Sequence, residues 1–162
     1  MSGRMILFNQ IDEADGSLVF METLKDNPFE IKRTFYIFSV PEENTRANHA
    51  SKTTEFVLIS INGYCKILTD DGKEKQIFSL NNPKSGIYVP PMTWIKAFDF
   101  SKDCILLVFT NEYYDKKKYI DNYHDFVDEC KLLTWAVKWN QYIHVFYNCG
   151  IKIFVNIINV LF

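Results

Sequence analysis

A chain of 162 residues, 48% apolar and 16% aromatic, suits one folded domain with a real core and excludes a disordered chain. Eighteen basic and twenty acidic residues leave a net charge of -2, so no concentrated basic face recruits nucleic acid. Fourteen Phe and nine Tyr favour strands over helices.

The first 110 residues read as short strands separated by turn chemistry. Residues 18–21 and 34–38 ("TFYIF") are β-rich runs. Residues 46–52, "RANHASK", then lead into a clear strand at 55–61, and Asn62-Gly63 is the strongest short hairpin signal available. Residues 64–69 alternate polar and apolar, and Asp70-Asp71-Gly72 turns the chain again. Further strands follow at 75–80, 86–89, 94–98 and 104–109, with Pro90-Pro91 breaking the sequence between two of them. Strands at intervals of roughly ten residues predict an antiparallel sandwich or barrel rather than a βαβ fold.

The period changes after Asn111. In residues 115–133, Tyr119, Tyr123, Phe126, Val127 and Cys130 fall on one helical stripe, which predicts an amphipathic helix packed on the sheet. Residues 134–162 are rich in Ile, Phe, Tyr, Val and Asn. Asn148, Gly150, Lys152, Asn156 and Asn159 interrupt this tail, which argues against a bilayer-spanning helix. It reads as a β-rich or helical extension, buried in the fold or in a subunit contact. A third reading is an unselected tail, because its bias is what AT-rich DNA encodes out of frame. The N-terminal apolar run is too short for a signal peptide. Cys65, Cys104, Cys130 and Cys149 form no C-x-x-C pair and read as reduced thiols of a cytoplasmic protein.

The chemistry-bearing candidates centre on RANHASK. A metal site at a barrel mouth would want His-x-His, a glutamate shortly after, and a third histidine on a later strand. His49 and Glu55 supply half of that set, Ser51 occupies the second histidine's place, and residues 90–98 hold no histidine. Two ligands do not make a transition-metal site, so no metal is expected. No G-x-S-x-G elbow and no phosphate-binding glycine loop occurs. Proton transfer by His49 remains, since an imidazole can take and return a proton near neutral pH. Lys32, Arg33, Arg46 and Lys52 are either clamps for an anionic substrate or solvated surface charges.

Many residues together carry a family resemblance. They are Gly16-Ser17-Leu18-Val19, Pro28-Phe29, Ile31-Lys32-Arg33, Tyr36-Ile37-Phe38, Arg46, His49-Ala50 and Lys52. They continue with Leu58, Asn62-Gly63, Asp70 to Gly72, Gly86, Tyr88-Val89, Pro91, Trp94, Asp99-Phe100-Ser101 and Asp103-Cys104. The last block is Tyr113-Tyr114-Asp115, Tyr119-Ile120 and Tyr123. On these the chain resembles the small cupin sugar 3,4-ketoisomerases acting on dTDP-4-keto-6-deoxyglucose (the WxcM-like C-terminal domain).

The resemblance implies an all-β cupin jelly-roll over residues 1–131, with a helical or apolar extension over 132–162. It implies a cytoplasmic homodimer without metal or cofactor, whose partner is a dTDP-linked 4-keto-6-deoxyhexose and whose product feeds surface glycans such as lipopolysaccharide. His49 would be the acid/base at the sugar ring, with Ser51 as a hydrogen-bond relay and Tyr36 beside them. Arg33, Arg46 and Lys52 would bind the diphosphate or sugar oxygens, and Trp94 or Tyr113 the thymine. Three positions depart from the family pattern. Ser51 replaces a second histidine, Ile95 replaces another after the tryptophan, and Phe35-Tyr36 stands where Tyr-Tyr is common. The alternative implied by these changes is a non-catalytic dTDP-sugar-binding or dimer-partner homologue.

Overall fold

The computed structural model describes residues 2–148, so the readings of residues 149–162 lie outside the described residues. The chain divides into two compact units, residues 1–127 and 128–162. The first unit is built from strands, and their order is that of a jelly-roll.

One sheet runs β1 (Arg4–Leu7), β9 (Ser85–Val89), β6 (Phe56–Asn62), β11 (Ile105–Thr110) and β4 (Arg33–Phe38). The other runs β12 (Tyr119–Ile120), β5 (Arg46–Ser51), β10 (Trp94–Phe98), β7 (Cys65–Asp70) and β8 (Lys75–Leu80). Every pairing is antiparallel, and most neighbours in a sheet are distant in sequence. A hairpin of β2 (Asn9–Glu13) and β3 (Gly16–Phe20) stands apart from both sheets.

Alternation decides which side chains fill the space between the sheets. Leu58, Ile67, Ile87, Val89, Ile95, Leu106 and Val108 form one buried cluster, with Phe35 and Tyr119 packed against it. A second apolar cluster of Phe8, Phe29, Val57 and Ile59 covers the other face of β6. Both faces of β6 are thus buried, which explains its nearly continuous apolar sequence. Cys65 and Cys104 are free buried thiols.

The predicted Asn62-Gly63 turn is present and has a steric reason. Gly63 has φ +62°, and a Cβ there would come within 2.2 Å of Ser101 Oγ. That hydroxyl accepts from the Tyr64 N–H at 2.9 Å and donates to Asp103 at 2.8 Å. The close approach ties the β6–β7 hairpin to the turn before β11.

The helix differs from its predicted extent. Residues 116–118 form a 3-10 turn whose first turn Asp115 caps, accepting from the Lys117 N–H at 3.0 Å. Tyr119–Ile120 then joins β5 as an edge strand, and the helix α1 starts only at Tyr123 and extends to Asn148. Asn122 sets that start by accepting from the His124 N–H at 2.8 Å. Two successive caps interrupt what the apolar spacing alone reads as one helix. In the second unit, α1 exposes Leu132, Leu133, Trp135, Val137 and Trp139, and the rings of Trp135 and Trp139 stack at 5.2 Å. No helix of the described residues is long and apolar enough to cross a membrane.

Candidate active site

A cavity of about 350 Å³ opens where β4 of one sheet meets β5 and β12 of the other. Its walls are Arg33, Thr34, Phe35, His49, Phe56, Tyr114 and Tyr119. The strand carrying His49 was not legible as a strand, because RANHAS is polar and irregular. Ala47 and Asn48 both adopt left-handed backbone, with φ of 65° and 58°. The pairing with β10 skips a residue there: Lys96 faces Ala47, and Ile95 faces His49. Asn48 is therefore the extra residue of a β-bulge, and the side chains beyond it resume alternation one step out of phase.

Beyond the bulge, His49 and Ser51 share the inner face, while Ala50 points outward against Trp94. The His49 imidazole meets the Tyr119 ring edge-on, with centroids 4.8 Å apart. Burial pushes the His49 pKa below the ordinary 6.5. A hydrogen bond to the Ala47 backbone and the Asp121 carboxylate pull it up, while Lys116 and Arg33 push it down. At neutral pH the imidazole is uncharged. With one ring nitrogen donating to the Ala47 carbonyl, the other is left as a base.

Arg33 provides the positive charge of the cavity. Its guanidinium lies 4.7 Å from the Phe35 ring centre and 5.4 Å from that of Tyr114, and Nη2 donates to the Tyr119 hydroxyl at 3.3 Å. Its Nε is buried and has no hydrogen-bond partner. A planar cation held between aromatic faces in the cavity wall suits an anionic or oxygen-rich ligand.

The other expected site residues are dispersed. Ser51 is buried, but its hydroxyl accepts from the Thr54 N–H at 3.1 Å and donates to the Lys118 carbonyl at 3.5 Å. It is held by backbone rather than aimed at the cavity. Tyr36 lies on the outer face of β4, 63% exposed, because it alternates with the inward Arg33, Phe35 and Ile37. Trp94 sits on the outer face of β10, 7% exposed, packed on Tyr123 and Phe126 at 5.2 and 5.7 Å. It anchors the start of α1 and does not reach the cavity. Tyr113 is 75% exposed, and its neighbour Tyr114 lines the wall instead. Arg46 and Lys52 are exposed and line no part of the cavity. Tyr119, which the helical stripe concealed, is the residue missed. Its sequence signals are its place in the Tyr119-Ile120 block of the family resemblance and a capping Asn three positions later. Among the described residues, no group of three His, Cys, Asp or Glu side chains could hold a metal ion.

A jelly-roll with a neutral imidazole and a stacked guanidinium in one small mouth is the frame of a cupin sugar-nucleotide isomerase. The family model described as "FdtA: WxcM-like, C-terminal" matches residues 1–131, and the chain belongs to that family. It is 42% identical over 126 residues to the TDP-4-oxo-6-deoxy-alpha-D-glucose-3,4-oxoisomerase of Aneurinibacillus thermoaerophilus, covering 78% of this chain and 91% of that one. The fold is similar to that of WlaRA, a TDP-fucose-3,4-ketoisomerase from Campylobacter jejuni, with 42% identity and a TM-score of 0.78 over 83% of this chain and 100% of the other. It is equally similar to QdtA, a sugar 3,4-ketoisomerase from Thermoanaerobacterium thermosaccharolyticum in complex with TDP, with 41% identity and a TM-score of 0.78 over 80% and 95%.

Proposed function

We propose that the chain is a 3,4-ketoisomerase of a TDP-linked 4-keto-6-deoxyhexose, with His49 as its acid/base. The observation that carries this reading is the shared cavity of His49 and Arg33. A half-buried base, its pKa lowered by burial, stands beside a guanidinium in the same wall. Moving a ketone from C4 to C3 requires removal of the C3 proton, passage through an enediol and protonation at C4. One base on one face of the ring serves both carbons, because the neutral imidazole takes the C3 proton and the resulting imidazolium returns it at C4. Arg33 favours the developing oxyanion or holds the diphosphate. The enzyme works in the cytoplasm as a homodimer in this reading, and its product feeds surface-glycan synthesis.

A second reading, binding of the TDP-sugar without turnover, has one observation in its favour. The Ser51 hydroxyl that stands in place of a second histidine is committed to backbone. Incubation of purified protein with TDP-4-keto-6-deoxyglucose in D2O, followed by NMR, separates the two. Isomerisation with deuterium entering the ring, lost in His49→Asn, supports the isomerase. Binding of TDP with no label at C3 supports the second reading, and failure to bind TDP removes both.

A further inference from the structure

The isomerisation moves two kinds of proton, and His49 accounts for only one of them. The carbon-bound proton travels from C3 to C4, while a hydroxyl proton must leave O3 and another must reach O4. The inner-face residues around His49 at positions 35, 51 and 95 offer no free proton relay, being Phe35, a backbone-bound Ser51 and a buried Ile95.

The strand pairing supplies a replacement. Tyr119 of β12 lies directly opposite Ser51 of β5, so both side chains project from the same inner face of the sheet. The larger residue reaches the cavity where the smaller one does not. Its ring is 4.8 Å from the imidazole of His49, and its hydroxyl is held by Arg33 at 3.3 Å. Of the two tyrosines in the wall, Tyr114 is 62% exposed, whereas Tyr119 is half-buried with its phenol between the base and the cation.

We propose that Tyr119 is the second catalytic residue of this chain, shuttling the hydroxyl proton between O4 and O3 while Arg33 stabilises its phenolate. The inference rests on the ketoisomerase reading. In the first half-reaction the C3–H bond breaks, the proton goes to His49 and the electron pair forms C3=C4. The C4=O π pair moves to O4, which takes the phenolic proton and leaves Tyr119 ionised beside the guanidinium. In the second half the phenolate recovers a proton from O3, the O–H pair becomes the C3=O bond, and the C3=C4 pair takes the proton from the His49 imidazolium at C4. Protons and electrons balance without any other reactant.

Tyr119→Phe tests this, because it keeps the ring against His49 and removes only the hydroxyl. With TDP-4-keto-6-deoxyglucose as substrate and the full chain as enzyme, kcat should fall about 100-fold or more, with TDP affinity held within about twofold. Adding Phe35→Tyr to that variant returns a phenol to the same cavity and should recover about tenfold or more in kcat. A kcat within about threefold of the parent overturns the inference, and so does a parallel loss of TDP affinity, which marks a structural role. Absence of recovery in the double variant also counts against it. An inactive parent overturns the ketoisomerase reading and this inference together, whereas an active parent with an active Tyr119→Phe overturns this inference alone.

Discussion

His49 and Ile95 face each other in register across β5 and β10, and Thr69 stands opposite Ile95 on its other side. Ile95 is 2% exposed in the main apolar cluster, and the Thr69 hydroxyl beside it is buried without a partner. The isoleucine therefore closes the floor under the His49 imidazole. Ile95→His should lower stability by about 1–3 kcal/mol, the cost of burying an incompletely paired polar group. A urea unfolding midpoint unchanged by the substitution would show instead that the cavity extends to this position.

The depressed pKa of His49 gives stability a direction with pH. At His49 the unfolded chain binds more protons than the folded one, chiefly between the lowered native value and the ordinary 6.5. Stability contributed by neutral His49 is thus full above 6.5 and declines as pH falls through that window. His49→Asn should flatten this slope in unfolding curves measured between pH 5 and 7, a range set by the ordinary histidine value of about 6.5. The acid limb of kcat/KM should likewise fall below the ordinary value, and a limb centred above it would contradict burial as the dominant influence.

Arg33 is stacked between two rings and donates to a phenol, a task that a lysine cannot reproduce. Arg33→Lys keeps the charge but loses the planar fork. Loss of charge-assisted hydrogen bonds worth about 1.5–3 kcal/mol should lower kcat/KM for the TDP-linked 4-keto sugar roughly ten- to hundredfold. A kcat/KM equal to the parent would take the guanidinium away from the reacting atoms.

Trp94 serves the core rather than the ligand. Its indole packs on Tyr123 and Phe126, and the Tyr123 hydroxyl donates to the buried Asp70 carboxylate at 2.6 Å. Trp94→Ala should cost about 3–5 kcal/mol in chemical denaturation. The milder Trp94→Phe should bind TDP as the parent does, and a weakened affinity in that folded variant would return the indole to the site.

How far the sequence discloses this protein depends on local regularity. Strands β6 to β11 are legible because their apolar residues alternate or run continuously between Asn-Gly, Asp-Gly and Pro-Pro turns. Strand β5 is not, since its two left-handed residues and polar side chains erase the period that marks a strand. The edge strand at Tyr119–Ile120 is hidden for the opposite reason. Its aromatic residue falls on a helical spacing that the Asp115 and Asn122 caps override. The sequence brings His49 and Arg33 forward as candidates and both line the cavity, but the facing of a side chain is not legible in it. Tyr36 and Trp94 each sit one position from an inward residue, and in a strand one position is a whole change of face. Tyr113 and Tyr114 differ in the same way by a turn whose geometry no composition records.

The doubled residue at Ala47 and Asn48 makes the backbone path of this segment as binding as its chemistry. The ladder to β10 is in phase on one side of Asn48 and displaced on the other. Excising Asn48 would close the ladder into regular pairing with His49 still opposite Ile95, whereas drawing Asn48 into the ladder as a paired residue would turn the imidazole outward. The kink of the backbone here, and not the chemistry of either kinked side chain, sets which way position 49 looks.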